Sequence, residues 1–255
     1  MQLVDCHCHL ESPELMGSID RVIEQAAAAG IVKLITSSVT ADQWNVSRLL
    51  REKFDQVEYS AGVHPWYVTA NDLEVAQLLQ AESKRGMIAV GEIGLDRKIE
   101  TPRFDLQMSV FEKQMQFAVD CDLPVIIHCR GAFNELIQCL NRTGVPRSGG
   151  IVHAFSGSVE IAETLLRKGL SFSMGGTLTY RNSRKRSDVL KKIFPEHFLL
   201  ESDSPDIPPA GTEKPNMPHN ILLFLAAASE ILGVSEEKVA ASTSENASRV
   251  FGLDL

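Results

Sequence analysis

Apolar residues along the chain fall into two alternating rhythms. Short runs rich in β-branched residues recur at Leu3–His7, Lys33–Ser37, Glu58–Val63, Ile88–Glu92, Val125–Cys129, Gly150–His153, Leu170–Met174 and Phe198–Ser202. Such runs read as strands buried on both faces, as in a parallel sheet. Between them lie stretches with helical periodicity. In Phe104–Cys121 the residues Phe104, Met108, Phe111, Met115 and Ala118 recur at steps of three and four, the spacing of one helix face. Further helices are predicted at Asp20–Ala29, Ala41–Lys53, Leu73–Glu82, Ala132–Leu140, Val159–Lys168 and Ser187–Ile193. The eighth unit ends in a helix over Met217–Leu232, and a last helix, Ser235–Phe251, closes the chain. Eight alternating units point to an α/β fold of the (β/α)8 TIM-barrel type rather than an open doubly wound sheet. No linker rich in Pro, Gly or Ser divides the chain, so residues 1–255 are expected to form a single domain.

Composition narrows the class. Apolar residues make up 44% and charged residues 23% of 255, which excludes disordered and fibrous chains. No apolar run approaches the ~18 residues of a membrane span. The N-terminus, MQLVDCHCHL, lacks the basic and apolar segments of a secretory leader. Five cysteines, an odd number in a chain too long to need staples, fit reduced thiols and a cytoplasmic location. A net charge of −8 argues at first against a nucleic-acid partner. The segment Tyr180–Lys192 qualifies this, because it carries six basic residues against one acid just after the seventh predicted strand. Its first half, with Tyr180 and Arg181, would sit on the rim where barrel active sites are built.

That same rim collects the chemistry. His7, His9, His64, His128 and His153, with Glu92 and Asp203, fall at or just beyond predicted strand ends. His7 and His9 are two apart and should share a face of the first strand. Alternation then turns Cys6 and Cys8 outward toward the helices, as buried structural thiols. Imidazole with carboxylate suits zinc, manganese or a similar divalent ion. His7, His9, Glu92, His128, His153 and Asp203 are too many ligands for one catalytic ion, and fit two ions bridged by one carboxylate. Glu201 shares a face with Asp203, and Asp5 with His7. Both are expected behind the ligands, Asp5 as an outer contact or an interior ion pair.

The ordered motifs carry a resemblance. They are Val4-Asp5-Cys6-His7-Cys8-His9-Leu10, Gly62-Val63-His64-Pro65, Gly91-Glu92-Ile93-Gly94-Leu95-Asp96, Leu123-Pro124-Val125 with His128-Cys129-Arg130, His153-Ala154-Phe155-Ser156-Gly157, and Glu201-Ser202-Asp203-Ser204-Pro205. In this order the set resembles the TatD family of metal-dependent hydrolases and deoxyribonucleases. Gly175-Gly176-Thr177-Leu178-Thr179-Tyr180 and Pro215-Asn216-Met217-Pro218 look most like the YjjV branch. Asp206 and Arg97 stand where that family often has aromatic residues.

The resemblance implies one ion on His7, His9 and Asp203, a second on His128 and His153, and Glu92 as the bridge. It implies hydrolysis of a phosphodiester in DNA, from an end, with water activated at two divalent ions such as Zn, Mg or Mn. Asp203 would take the proton, unless it serves as a ligand only. His64, Arg130, Tyr180 and Arg181 are the candidate substrate contacts, with Trp66 and Tyr67 able to stack on a base. Arg130 could instead pair with Asp96 or Glu201, and Asp96 and Glu201 are expected to order the site from behind. The alternative is hydrolysis of a small amide, ester or lactone at the same ions. A base deaminase fits less well, because no acid follows His128 at His-x-x-Glu spacing. No heptad or repeat suggests an oligomer, so a monomer is expected.

Overall fold

The computed structural model describes residues 1–180 and 183–255. Eight parallel strands run in sequence order around one sheet: β1 Leu3–Cys8, β2 Ile31–Ser37, β3 Val57–Ala61, β4 Ala89–Asp96, β5 Val125–Arg130, β6 Gly150–Val152, β7 Leu170–Met174 and β8 Phe198–Leu200. Among the described residues ten α-helices accompany them: α1 Pro13–Met16, α2 Ile19–Ala28, α3 Trp44–Lys53, α4 Val75–Ser83, α5 Phe104–Cys121, α6 Phe133–Thr143, α7 Val159–Leu166, α8 Arg184–Ile193, α9 Ile221–Leu232 and α10 Glu236–Phe251. The expected TIM barrel is therefore the observed one. Among the described residues no single helix is long and apolar enough to cross a membrane.

Helix ends follow local chemistry. The Ser158 and Ser183 hydroxyls accept from the main-chain N–H groups of Ile161 and Arg186 and so cap α7 and α8. Gly233 and Gly252 end α9 and α10 in the left-handed conformation that glycine adopts without strain. The α3, α4 and α9 segments each begin with a separate 3-10 piece, at Ala41–Gln43, Ala70–Glu74 and Pro218–Asn220.

Two departures from the sequence expectation shape the mouth of the barrel. First, β4 runs on to Asp96. After an irregularity between Val90 and Ile93 it pairs again with β5, setting Gly94 against His128. A Cβ on Gly94 would collide with the His128 carbonyl oxygen, so only glycine permits this approach. Second, Cys6 does not face the helices. It packs with Val4, Ile35, Ala89, Ile126, Ile151 and Leu199, the interior ring closed at one end by Ala247, Val250 and Phe251 of α10. The alternation rule fails because β1 is irregular, shifting register between Asp5 and Cys8. Cys8 does pack among the outer apolar residues, as alternation predicts.

Closure between β8 and β1 uses few strand-type bonds. Asp203 N–H donates to the His7 carbonyl at 2.9 Å and His9 N–H to the Ser204 carbonyl at 2.7 Å. Below them the Asp5 carboxylate accepts the Ser202 N–H at 2.8 Å. Asp5 thus substitutes for a backbone acceptor in the seam; of the two places expected of it, an outer contact or an interior ion pair, no ion pair of Asp5 forms among the described residues, and its Oδ1 also lies 3.4 Å from the His7 main-chain N–H. Asp5→Ala should leave a buried N–H unmet and lower unfolding free energy by about 1–3 kcal/mol. Asp5→Asn, which keeps the acceptor, should recover most of that loss in urea titrations.

Candidate metal centre

The C-terminal ends of the strands deliver the predicted side chains to one point. His7 comes from β1, Glu92 from β4 and His128 from β5, whereas His9, His64, His153 and Asp203 lie in the loops that follow β1, β3, β6 and β8. The short β6 and β8 release the chain early. Ala154 and Asp203 then take positive φ of 43° and 55°, uncommon for residues other than glycine. That strain is held in place by hydrogen bonds. Ala154 N–H donates to Glu201 Oε1 at 2.8 Å, and Asp206 N–H to the Asp203 carbonyl at 2.7 Å.

Four donor atoms form one group. His7 Nε2 stands 3.4 Å from Glu92 Oε2 and 3.5 Å from Asp203 Oδ1, and His9 Nε2 is 3.5 Å from each of those oxygens. These gaps exceed an ordinary hydrogen bond of about 2.9 Å. They match the roughly 3.4 Å edge of a tetrahedron of ligands about 2.1 Å from a central ion. Both ring nitrogens of the fully buried His7 lack a hydrogen-bond partner. Orphaned imidazole atoms facing two carboxylates fit a cation.

The other Glu92 oxygen faces a second group. Oε1 lies 3.2 Å from His128 Nδ1, 2.7 Å from His153 Nε2 and 3.2 Å from His64 Nε2. His128 Nδ1 and His153 Nε2 are 3.3 Å apart. Three sets converge closely enough to hold an ion: His7, His9 and Glu92; His64, Glu92 and His128; and His7, His153 and Asp203. Glu92, common to two of them, is 2% exposed.

Outer contacts aim the ligands. His9 Nδ1–H donates to the Ser37 carbonyl at 2.7 Å, leaving the Nε2 lone pair free for the centre. Asp96 Oδ2 lies 3.2 Å from His128 Nε2 and 3.9 Å from the Arg130 guanidinium. Glu201 accepts from the Ser173 hydroxyl at 2.5 Å and stands 3.8 Å from His153 Nδ1. Asp96 and Glu201 thus stand beside His128 and His153 respectively. Glu11 is an addition: it accepts from the Thr36 hydroxyl at 2.5 Å and lies 3.7 Å from His9 Nδ1. Its place two residues beyond His9 was the available signal.

Electrostatics separate the acids. Burial alone would raise Asp203, but the imidazoles of His7 and His9, each 3.5 Å from Oδ1, prevail and hold it well below the usual carboxylate range. Burial pushes Glu201 up, leaving it the weaker acid of the two. Burial lowers His7, yet the charge of Glu92 and the Asp203 contact overcome it and lift the imidazole to about 10. A pocket that holds His7 cationic in this way favours added positive charge.

The centre floors a cleft of about 740 Å³, whose lining includes His64, Trp66, Tyr67, Arg130, Tyr180 and Lys214. Tyr180 donates its hydroxyl to the Pro208 carbonyl at 3.0 Å. The basic segment contributes less to the cleft than its sequence implies. Lys185 donates to the Ser156 carbonyl at 2.6 Å, Arg186 to the Tyr180 carbonyl at 2.8 Å, and Lys192 pairs with Glu163 at 2.6 Å. Arg181 lies outside the described residues.

Histidines and carboxylates at the C-terminal mouth of a (β/α)8 barrel, arranged about shared cation positions, mark a metal-dependent hydrolase of the amidohydrolase type. Within that class the chain belongs to the TatD related DNase family, whose profile matches residues 4–252. It is 33% identical to the metal-dependent hydrolase YjjV of Escherichia coli K12 over 256 residues, covering 99% of this chain and 98% of that one. The crystal structure of YjjV, a TatD homolog, superposes with a TM-score of 0.92 at 32% identity, covering 99% of this chain and 98% of the other. Human deoxyribonuclease TATDN3 is 31% identical over 266 residues, covering 98% of this chain and 94% of that protein.

Zn²⁺ or Mn²⁺ should raise the melting temperature of chelator-treated protein. A ligand at 100 times its Kd adds about 2.7 kcal/mol, worth several degrees for a chain of this size. His7→Ala should abolish most of that shift in a thermal melt.

Proposed function

We propose that the protein is a two-metal deoxyribonuclease that hydrolyses phosphodiester bonds, working from a strand end. The observation that carries this reading is the double use of Glu92, whose two oxygens face two separate histidine groups. In this reading His7, His9, Asp203 and Glu92 would hold one divalent ion, and His128, His153 and Glu92 would hold the other. The ions, Zn, Mg or Mn, supply an activated water of lowered pKa and neutralise charge on the phosphoryl oxygens.

The chain's own groups do the rest. Asp203, held ionised between His7 and His9, orients the attacking water and accepts its proton at Oδ2, the oxygen turned away from the two imidazoles' shared contact. His64 is held by Trp66 N–H donating to its Nδ1 at 3.1 Å. Its neutral form therefore carries the proton on Nε2, from which it donates to a phosphoryl oxygen or the leaving alkoxide. Arg130 has more than half its side chain exposed at the cleft and clamps a phosphate through its planar fork. Tyr67 and Tyr180, both exposed on the cleft wall, offer faces for bases. The names of the full-length relatives, a deoxyribonuclease among them, support DNA as the substrate.

Labelled single-stranded DNA, incubated with Mg²⁺, Mn²⁺ or Zn²⁺ beside a panel of small esters, lactones and amides, tests the reading. DNA shortening from one end is expected. Asp203→Asn should lower the rate by about 10²–10⁴-fold, the scale of a lost general base. Turnover of a small ester or amide with no DNA product would replace this reading with the small-molecule alternative.

A further inference from the structure

Trp66 stands between the open cleft and both histidines on the His128 side. Its side chain is 42% exposed, yet its indole Nε1–H donates to Asp96 Oδ2 at 2.6 Å. That same oxygen lies 3.2 Å from His128 Nε2. Asp96 is pinned from elsewhere too. Its Oδ1 accepts Lys98 N–H at 2.7 Å, and its own N–H donates to Gln107 Oε1 at 2.9 Å. A carboxylate oxygen only accepts, so it selects the His128 tautomer with the proton on Nε2. The Nδ1 lone pair then points at Glu92 Oε1 and His153 Nε2, 3.2 and 3.3 Å away.

The main chain of Trp66 imposes the opposite arrangement on His64. Its N–H donates to His64 Nδ1 at 3.1 Å, so Nε2 of neutral His64 bears the proton and faces Glu92 Oε1 at 3.2 Å. Two histidines thus approach one carboxylate oxygen with different characters. His128 brings a lone pair and His64 brings an N–H. Cation-ligating geometry alone would admit either, because His64, Glu92 and His128 converge closely enough to hold an ion.

We propose that Trp66 is a positioning residue for the second cation. Its indole N–H, acting through Asp96, orders His128 for coordination, while its main-chain N–H reserves His64 as a donor to substrate. This rests on the two-ion reading above.

Trp66→Phe removes the indole donor and keeps an aromatic ring and the main-chain N–H. Chelator-stripped native protein, titrated calorimetrically with Zn²⁺, should show two binding events. In Trp66→Phe the second should weaken about tenfold or more, the usual cost of losing an outer hydrogen-bond partner of a metal ligand. The first should stay within about twofold of native. Asp96→Ala, which removes the shared acceptor, should reproduce the loss. The double variant should be no weaker than the worse single one, because contacts in one chain are not additive. Tryptophan emission gives a second readout. It should change with the second equivalent of Zn²⁺ in native protein and not in Trp66→Phe. Two ions in native protein with unchanged second affinity in Trp66→Phe overturn this inference alone. Uptake of one ion by the native chain overturns both it and the two-ion reading.

Discussion

The barrel is organised around one buried carboxylate. Glu92 is almost fully enclosed, and its partners within 4 Å among the described residues are histidines, not lysine or arginine. Burying an ionised carboxylate costs several kcal/mol unless charge or hydrogen bonds offset it. The coulombic attraction of His64, His153 and His7 for Glu92 keeps it ionised against desolvation. Placing this charge so that each oxygen meets a different histidine group accounts for the prolonged β4, the Gly94 approach to β5 and the early release of β6 and β8.

Chemistry and folding stability occupy opposite ends of the barrel. At the N-terminal end the interior is apolar and sealed by α10, with Asn246 donating to the Phe198 carbonyl at 2.9 Å and Ser244 to the Gln2 carbonyl at 2.9 Å. At the other end the interior is histidine and carboxylate, and the chain is strained at Ala154 and Asp203. The dense hydrogen bonding of the lower barrel supports a mouth in which few groups are chosen for stability. Distributing the burden this way lets β6 and β8 be short without loss of the sheet.

Much of this was legible in the sequence. Phe104–Cys121 was bounded to the residue by its three- and four-step apolar pattern, because a long amphipathic helix repeats its signal many times. The donor set was legible for a different reason. Histidines and acids at the ends of apolar runs are costly to bury without a cation or a partner, and the barrel brings all strand ends to one face. Details that depend on irregular backbone were hidden. Cys6 faces the interior because β1 breaks its pleat, and alternation contains no sign of that. The extra length of β4 was hidden because it rests on the close approach of Gly94 to His128 on β5, a contact between strands that an apolar run does not show. Trp66 was visible as an aromatic near the cleft, but its bond to Asp96 joins residues far apart in sequence. The basic segment misled in the other direction. Lys185, Arg186 and Lys192 are engaged by loop carbonyls and a neighbouring helix, a pairing that charge counts do not show.

The seam between β1 and β8 gives the site a mechanical meaning. His7 and His9 lie on one side of the gap, and Asp203 lies on the other. A divalent ion bound by all three would act as a rivet joining the first strand of the ring to the last. The loop so closed contains nearly the entire chain, and long loops gain most from such a cross-link in polymer terms. Occupancy of the reaction centre and integrity of the ring would then be one equilibrium. A cell poor in the metal would hold a looser barrel as well as an idle enzyme.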